Sequence, residues 1–125
     1  MFDKLRNAAG LAGLVKDLPR IRARIEQVKR ELEARTVDAE TGGGAVRAIA
    51  SGRLRIISVE VNRPMLRGLI DSTGTDDLRL AEELIAQAVN DALARAQEMV
   101  ATELHNAAEE LNLPIPPGGL ADLLR

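Results

Sequence analysis

Apolar residues recur along the first third of the chain at Leu11, Leu14, Leu18, Ile21, Ile25, Val28 and Leu32, with spacings that alternate three and four. Such spacing is the seam of an amphipathic helix three heptads long. Pro19 falls inside the repeat, where it removes a backbone donor and clashes with the preceding turn at a cost of about 3 kcal/mol. The main helix is therefore expected to start near Asp17 or Leu18, with Pro19 in its first turn, and to run to Arg35, a length of about 25 Å. Residues 1–16 are expected to form a shorter, weaker helix, frayed by Gly10 and Gly13.

The period changes after Arg35. Thr36 to Glu40 is a candidate short strand, Gly42-Gly43-Gly44 a turn, and Ser51-Gly52 a break between two strand-like runs rich in β-branched residues. If Ser51-Gly52 is a two-residue hairpin loop, Ala50 faces Arg53, Ala48 faces Arg55 and Val46 faces Ile57. One face then carries Val46, Ala48, Ala50, Ile57, Val59 and Val61, with Arg53 and Arg55 near the tip. The other carries Arg47, Ile49, Leu54, Ile56, Ser58 and Glu60. Neither is wholly polar, so another subunit is expected to cover part of the second face, at Ile49, Leu54 and Ile56. Three short strands cannot make an independent sheet, so flanking helices or a second copy must complete it.

Asn62-Arg63-Pro64 ends the strand pattern, and residues 67–76, with Gly68, Ser72, Thr73 and Gly74, read as a loop. The last helix is expected from about Asp76 to Asn112, with Asp76 and Asp77 suiting its N-terminal dipole. Leu78, Ala81, Ile85, Ala88, Ala92, Met99 and Leu104, with Leu84, Val89, Val100 and Leu111 beside them, give it a broad apolar stripe. At roughly 36 residues the helix would be about 54 Å long, more than one hairpin can cover, which argues for a partner. The Pro/Gly-rich tail, residues 113–125, is expected to be flexible. The pattern makes residues 1–125 a single α+β domain, a small antiparallel sheet between two long helices.

Composition narrows the chemistry. Phe2 is the sole aromatic residue among 125 and there is no cysteine, which excludes disulfides and thiolate metal sites. The short, charged N-terminal apolar patch makes a poor signal peptide, and no apolar run approaches the length of a membrane span, so a cytoplasmic protein is expected. His105 stands alone as a histidine, Ser51 and Ser58 lack a neighbouring base, and the adjacent pairs Glu82-Glu83 and Glu109-Glu110 diverge by about 100° on a helix. The glycine triplet is followed neither by a helix nor by Lys-Ser/Thr, so it lacks the context of a phosphate loop. No catalytic set, metal site or cofactor is expected.

The net charge of −2 conceals an asymmetry. Residues 1–35 carry nine Lys/Arg against five Asp/Glu, a balance of +4, and residues 36–75 stand at +1. Residues 76–125 carry three against ten, a balance of −7. Such a dipolar chain can meet phosphate with one end or pair head to tail with another protein. On the first helix, Arg20, Arg24 and Arg35 flank the seam on one side, Arg22 and Lys29 on the other, and Arg30 points away. Two readings stand side by side. Arg22–Glu26, Glu26–Arg30, Lys29–Glu33 and Glu31–Arg35 are i,i+4 partners, so the helix can be a salt-laced solvated surface. Alternatively, the six cations face phosphate, reading backbone rather than bases.

The ordered motifs resemble the YbaB/EbfC family of small bacterial nucleoid-associated proteins. They are the charged first helix, Glu40-Thr41-Gly42-Gly43-Gly44-Ala45-Val46, Ser51-Gly52, Val59-Glu60-Val61, Pro64, Asp76-Asp77, Ile85-Ala86-Gln87-Ala88-Val89-Asn90-Asp91-Ala92-Leu93, and Pro116-Pro117-Gly118. The most specific is the helix with Asn90-Asp91-Ala92, and the resemblance covers about residues 15 to 118. It implies an α-β-β-β-α subunit, an intertwined homodimer, helices projecting as tweezer arms, and DNA binding with little sequence preference in the cytoplasmic nucleoid. It implies a structural role for Asn90 and Asp91, in a helix cap or dimer-interface hydrogen bonds. The family has no fixed DNA-contact motif, so Arg20, Arg22, Arg24, Lys29, Arg30 and Arg35 are candidate phosphate contacts on charge alone. The expected partners are duplex DNA and a second copy of the chain, and influence on gene expression would follow. The alternative is a scaffold module whose helical seam and apolar tail bind other proteins without DNA.

Overall fold

The computed structural model describes the backbone of residues 2–73 and 77–112 and the side chains of residues 16–72 and 78–112. In order, the elements are α1 (Phe2–Glu33), β1 (Thr36–Thr41), β2 (Val46–Ser51), β3 (Ile56–Val61), α2 (Arg63–Thr73) and α3 (Asp77–Glu110), with a 3-10 turn at Gly42–Gly44. This is the expected α-β-β-β-α order with one helix added. The expectations for Asp76 and for the tail at 113–125 lie outside the described residues.

Two corrections concern helices. α1 runs unbroken through Pro19 rather than starting beside it. Residues 63–73, expected mostly as loop, form α2. Asn62 caps this helix, its side-chain oxygen accepting a hydrogen bond from the Met65 amide at 3.1 Å. Pro64 fits the first turn, where no intrahelical donor is needed, and Leu66, Leu69 and Ile70 keep helical spacing despite Gly68.

The sheet is antiparallel in the order β1-β2-β3. Ala39 pairs with Ala48, which pairs in turn with Val59, and Val46 pairs with Val61. The expected two-residue loop, and the register built on it, are therefore wrong. Residues 52–55 all belong to the turn, and a bulge at Ile49/Ala50 sets Ala50 opposite Ile56. The left-handed residue in that turn is Leu54, at φ 63°, not Gly52. At the other connection the triplet does supply left-handed backbone, with φ of 63°, 66° and 105° at Gly42, Gly43 and Gly44.

The core is built from small side chains. Ala88, Ala92 and Ala96, at four-residue spacing, present one α3 face to Ala39, Val46, Ala48 and Ala50, all buried. Alanine on alanine lets helix and sheet approach closely, so a chain with one aromatic residue still closes a core. Thr41 Oγ1 donates to the Leu84 carbonyl at 2.8 Å and Arg95 donates to the Asp38 carbonyl at 2.7 Å, both fixing α3 over β1. Past the sheet, α3 pairs with α1 through Val28, Leu32, Val100 and Ala107, with Met99 and Leu104 alongside. The excess length of α3 is thus covered in part by α1 of the same chain.

Coverage is incomplete at β3. α3 lies mainly over β1 and β2, leaving Val59 38%, Val61 40% and Ile57 58% exposed, with Met65 exposed beside them. The opposite sheet face is charged: Arg47 bridges Asp38 at 2.9 Å and Glu60 at 3.2 Å. Ile49 is half-buried on that face. Leu54 and Ile56, expected beside it, pack against the core under α3 instead, because the longer turn and the bulge re-aim them.

Candidate nucleic-acid interface

Charge on α1 sorts by what the neighbouring helix supplies. Arg24 Nε donates to Glu110 at 2.8 Å, with Glu31 a looser neighbour at 3.9 Å. The hydrogen bond to Glu110 raises the Arg24 pKa above its ordinary value, so the guanidinium stays charged. Arg35 Nη1 donates to Glu103 at 2.9 Å. Both bonds end on the acidic α3, the first from α1 and the second from Arg35, two residues past the end of α1 and not within it as expected. Lys29 pairs with Glu26 one turn back, at 3.5 Å.

The other three candidates are different. Arg20, Arg22 and Arg30 are exposed and make no ion pair with any described residue. None of the four i,i+4 pairs expected on this helix forms: Glu33 turns to Arg53, Arg35 turns to Glu103, and Glu26 is taken by Lys29. Three arginines of α1 thus stay uncompensated among the described residues: Arg20 on the flank shared with Arg24, Arg22 on the other flank, and Arg30 pointing away from the seam.

Sequence reasoning missed two cations at the root of α1. Arg53 and Arg55 occupy the β2–β3 turn, which is tied to the chain just past α1 by a Gly52 amide bond to the Arg35 carbonyl at 3.1 Å. Arg53 reaches Glu33 at 2.9 Å, whereas Arg55 is exposed with no ion-pair partner among the described residues. A two-residue loop would have placed both arginines within paired strands. On α2, Arg63 and Arg67 line a groove of about 230 Å³ with Leu66, Ile70 and Asp71.

Asn90 and Asp91 are exposed on α3, on the side away from Ala88 and Ala92. His105 contacts Glu109 at 3.2 Å along the same helix. A groove of about 350 Å³ between β1 and α3 is lined by Arg35, Thr36, Arg95, Glu98, Met99 and Glu103, a mixed-charge set with no nucleophile–base pair. Among the described residues, no group of three His, Asp or Glu side chains converges to hold a metal ion. What the surface offers chemically is exposed guanidinium groups spread around one helix, a chemistry suited to phosphate oxygens.

Residues 7–111 match the model of the YbaB/EbfC DNA-binding family. A nucleoid-associated protein of Thermoanaerobacter pseudethanolicus is 36% identical over 101 residues, covering 81% of this chain and 85% of its own length. One from Caldanaerobacter subterraneus is 32% identical over the same shares of both chains. A nucleoid-associated protein of Syntrophobacter fumaroxidans is 35% identical over 91 residues, 73% of this chain and 76% of its own.

Proposed function

This chain belongs to the YbaB/EbfC DNA-binding family, and from that premise we propose that it is a non-enzymatic, nucleoid-associated protein. It binds duplex DNA as a homodimer with little sequence preference. The observation that carries the reading is the trio Arg20, Arg22 and Arg30, exposed on α1 and unpaired among the described residues. Arginines without a carboxylate partner are free to displace counterions from phosphate, and they can do so at any base sequence. No described helix is long and apolar enough to cross a membrane, which is compatible with a place on the nucleoid.

Support for the homodimer comes from β3. It is an edge strand with exposed Ile57, Val59 and Val61, and exposed apolar edges are ordinarily covered. A second copy related by two-fold symmetry would cover that strip with the same strip of its own. On this reading β3 and Met65 form the contact between copies, and Asn90 and Asp91, on the outer side of α3, are candidates for a polar contact apart from that strip. A dimer also doubles the number of α1 helices that one duplex can meet, and with it the positive field.

The test is an anisotropy titration of a labelled duplex over a range of salt concentrations. Binding should weaken linearly with the logarithm of salt, and Arg20/Arg22/Arg30→Ala should reduce that slope by about 1 for each arginine removed. Affinity that ignores salt, or that survives the triple substitution, overturns the reading. The exposed β3 strip also supports the scaffold alternative. Absence of a DNA shift at physiological salt, together with saturable binding of a defined protein, would select it.

A further inference from the structure

We infer that the β2–β3 turn is a second, preorganised phosphate-binding element, in which Arg53 and Arg55 grip the backbone of the same duplex at the root of α1. The inference rests on the DNA-binding reading and extends it to residues outside the helix.

Three observations carry it. The turn is unusually well tied for an exposed loop. Buried Ser51 accepts from the Leu54 amide at 2.9 Å through its carbonyl and from the Arg53 amide at 3.3 Å through its hydroxyl, and its own amide donates to the Arg55 carbonyl at 2.9 Å. The Gly52 amide adds a bond to Arg35 at the end of α1.

The second observation is Leu54. Its backbone is held at φ 63°, a left-handed region that strains a residue with a β-carbon. Its side chain packs against both core clusters, the sheet core and the α1–α3 core. A plug anchored this way, between two outward-facing neighbours, sets the directions of Arg53 and Arg55 without freezing long side chains at the moment of binding.

The third is charge. The Arg53 side chain is 60% exposed and its partner Glu33 is on the surface, a weak, solvent-screened pair that a polyanion can displace. Arg55 is exposed and has no ion-pair partner among the described residues. Since the Gly52 amide ties the turn to Arg35 just past α1, and Arg53 reaches Glu33, both arginines sit at the C-terminal end of that helix. Two arginines on one fixed turn suit the repeating phosphates of a duplex better than a single small anion.

The full-length chain is titrated with a labelled 20–30 base-pair duplex at several salt concentrations, beside a thermal melt of each variant. Arg53→Ala/Arg55→Ala should lower the salt slope by about 2 and weaken binding about tenfold at low salt, with an unchanged melt. Arg55→Gln, which breaks no ion pair of the described chain, should lower the slope by about 1. Leu54→Gly keeps both charges but frees the turn, so the slope should hold while affinity falls. If both arginine variants bind like the parent while Arg20/Arg22/Arg30→Ala weakens binding, the turn is excluded and the helix reading stands. A parent chain that binds no DNA overturns both.

Discussion

A β-carbon on Gly52 would stand 2.1 Å from the carbonyl oxygen of Leu32, inside the radius of any tolerated contact. The glycine is required by this approach of two backbones, the β2–β3 turn and the last turn of α1, and not by a left-handed φ, which belongs to Leu54. Gly52→Ala must push the turn off the helix. It should lower the stability of folding by about 1–3 kcal/mol or more, read as a lower urea midpoint with an unchanged m-value. A midpoint equal to the parent's would show that the turn and helix can separate without cost.

The alanine stripe of α3 makes a related demand. Ala92 is fully buried between Ala88 and Ala96 against the sheet. Ala92→Leu adds three carbons where there is no void, and should destabilise the fold by about 1–3 kcal/mol. Ala94→Leu, on the exposed face of the same helix, should change stability by less than about 0.5 kcal/mol. Equal melts for the two variants would contradict the close helix–sheet packing.

Glu103 and Glu110 hold Arg35 and Arg24, two of the six cations proposed to contact phosphate. Replacing both by glutamine keeps their shape and removes the charge that holds Arg35 and Arg24. DNA affinity at low salt should rise several-fold and the salt slope should steepen by up to about 2. If affinity falls instead, the two ion pairs serve to set α1 against α3, and the free arginines of α1 alone meet DNA.

Val61→Lys places a charge in the exposed β3 strip, on a side chain that packs against no helix fully. Sedimentation should show the chain shifting toward half its assembled mass, with far-ultraviolet circular dichroism unchanged. DNA affinity should fall with it, because one α1 replaces two. An unchanged mass would place the contact between copies elsewhere.

The elements and their faces were largely legible in the residues. Val46, Ala48, Ala50, Val59 and Val61 share a face as their alternation predicts, and β1 and the glycine turn fall where the composition shifts. α2 was also legible, through the Asn62 cap and the spacing of Leu66, Leu69 and Ile70, but Gly68 and the Ser72-Thr73 pair outweighed those signals. The register was not. It depended on whether Ser51-Gly52 closed the hairpin, and the decisive contact, Gly52 against Leu32, joins residues far apart in the chain. Nor could spacing show that Arg24 and Arg35 face carboxylates on α3 rather than neighbours on their own helix.

By itself, the sequence determined the α+β class, the family, the basic first third and the absence of cysteine chemistry, because periodicity, motif order and charge are local or additive along the chain. Tertiary structure alone decided which cations remain free, that Leu54 rather than Gly52 takes the strained backbone, and that an apolar strip on β3 stays uncovered. Those outcomes depend on long-range pairings: an ion pair, a backbone approach or a covered face exists only once two distant segments have been brought together.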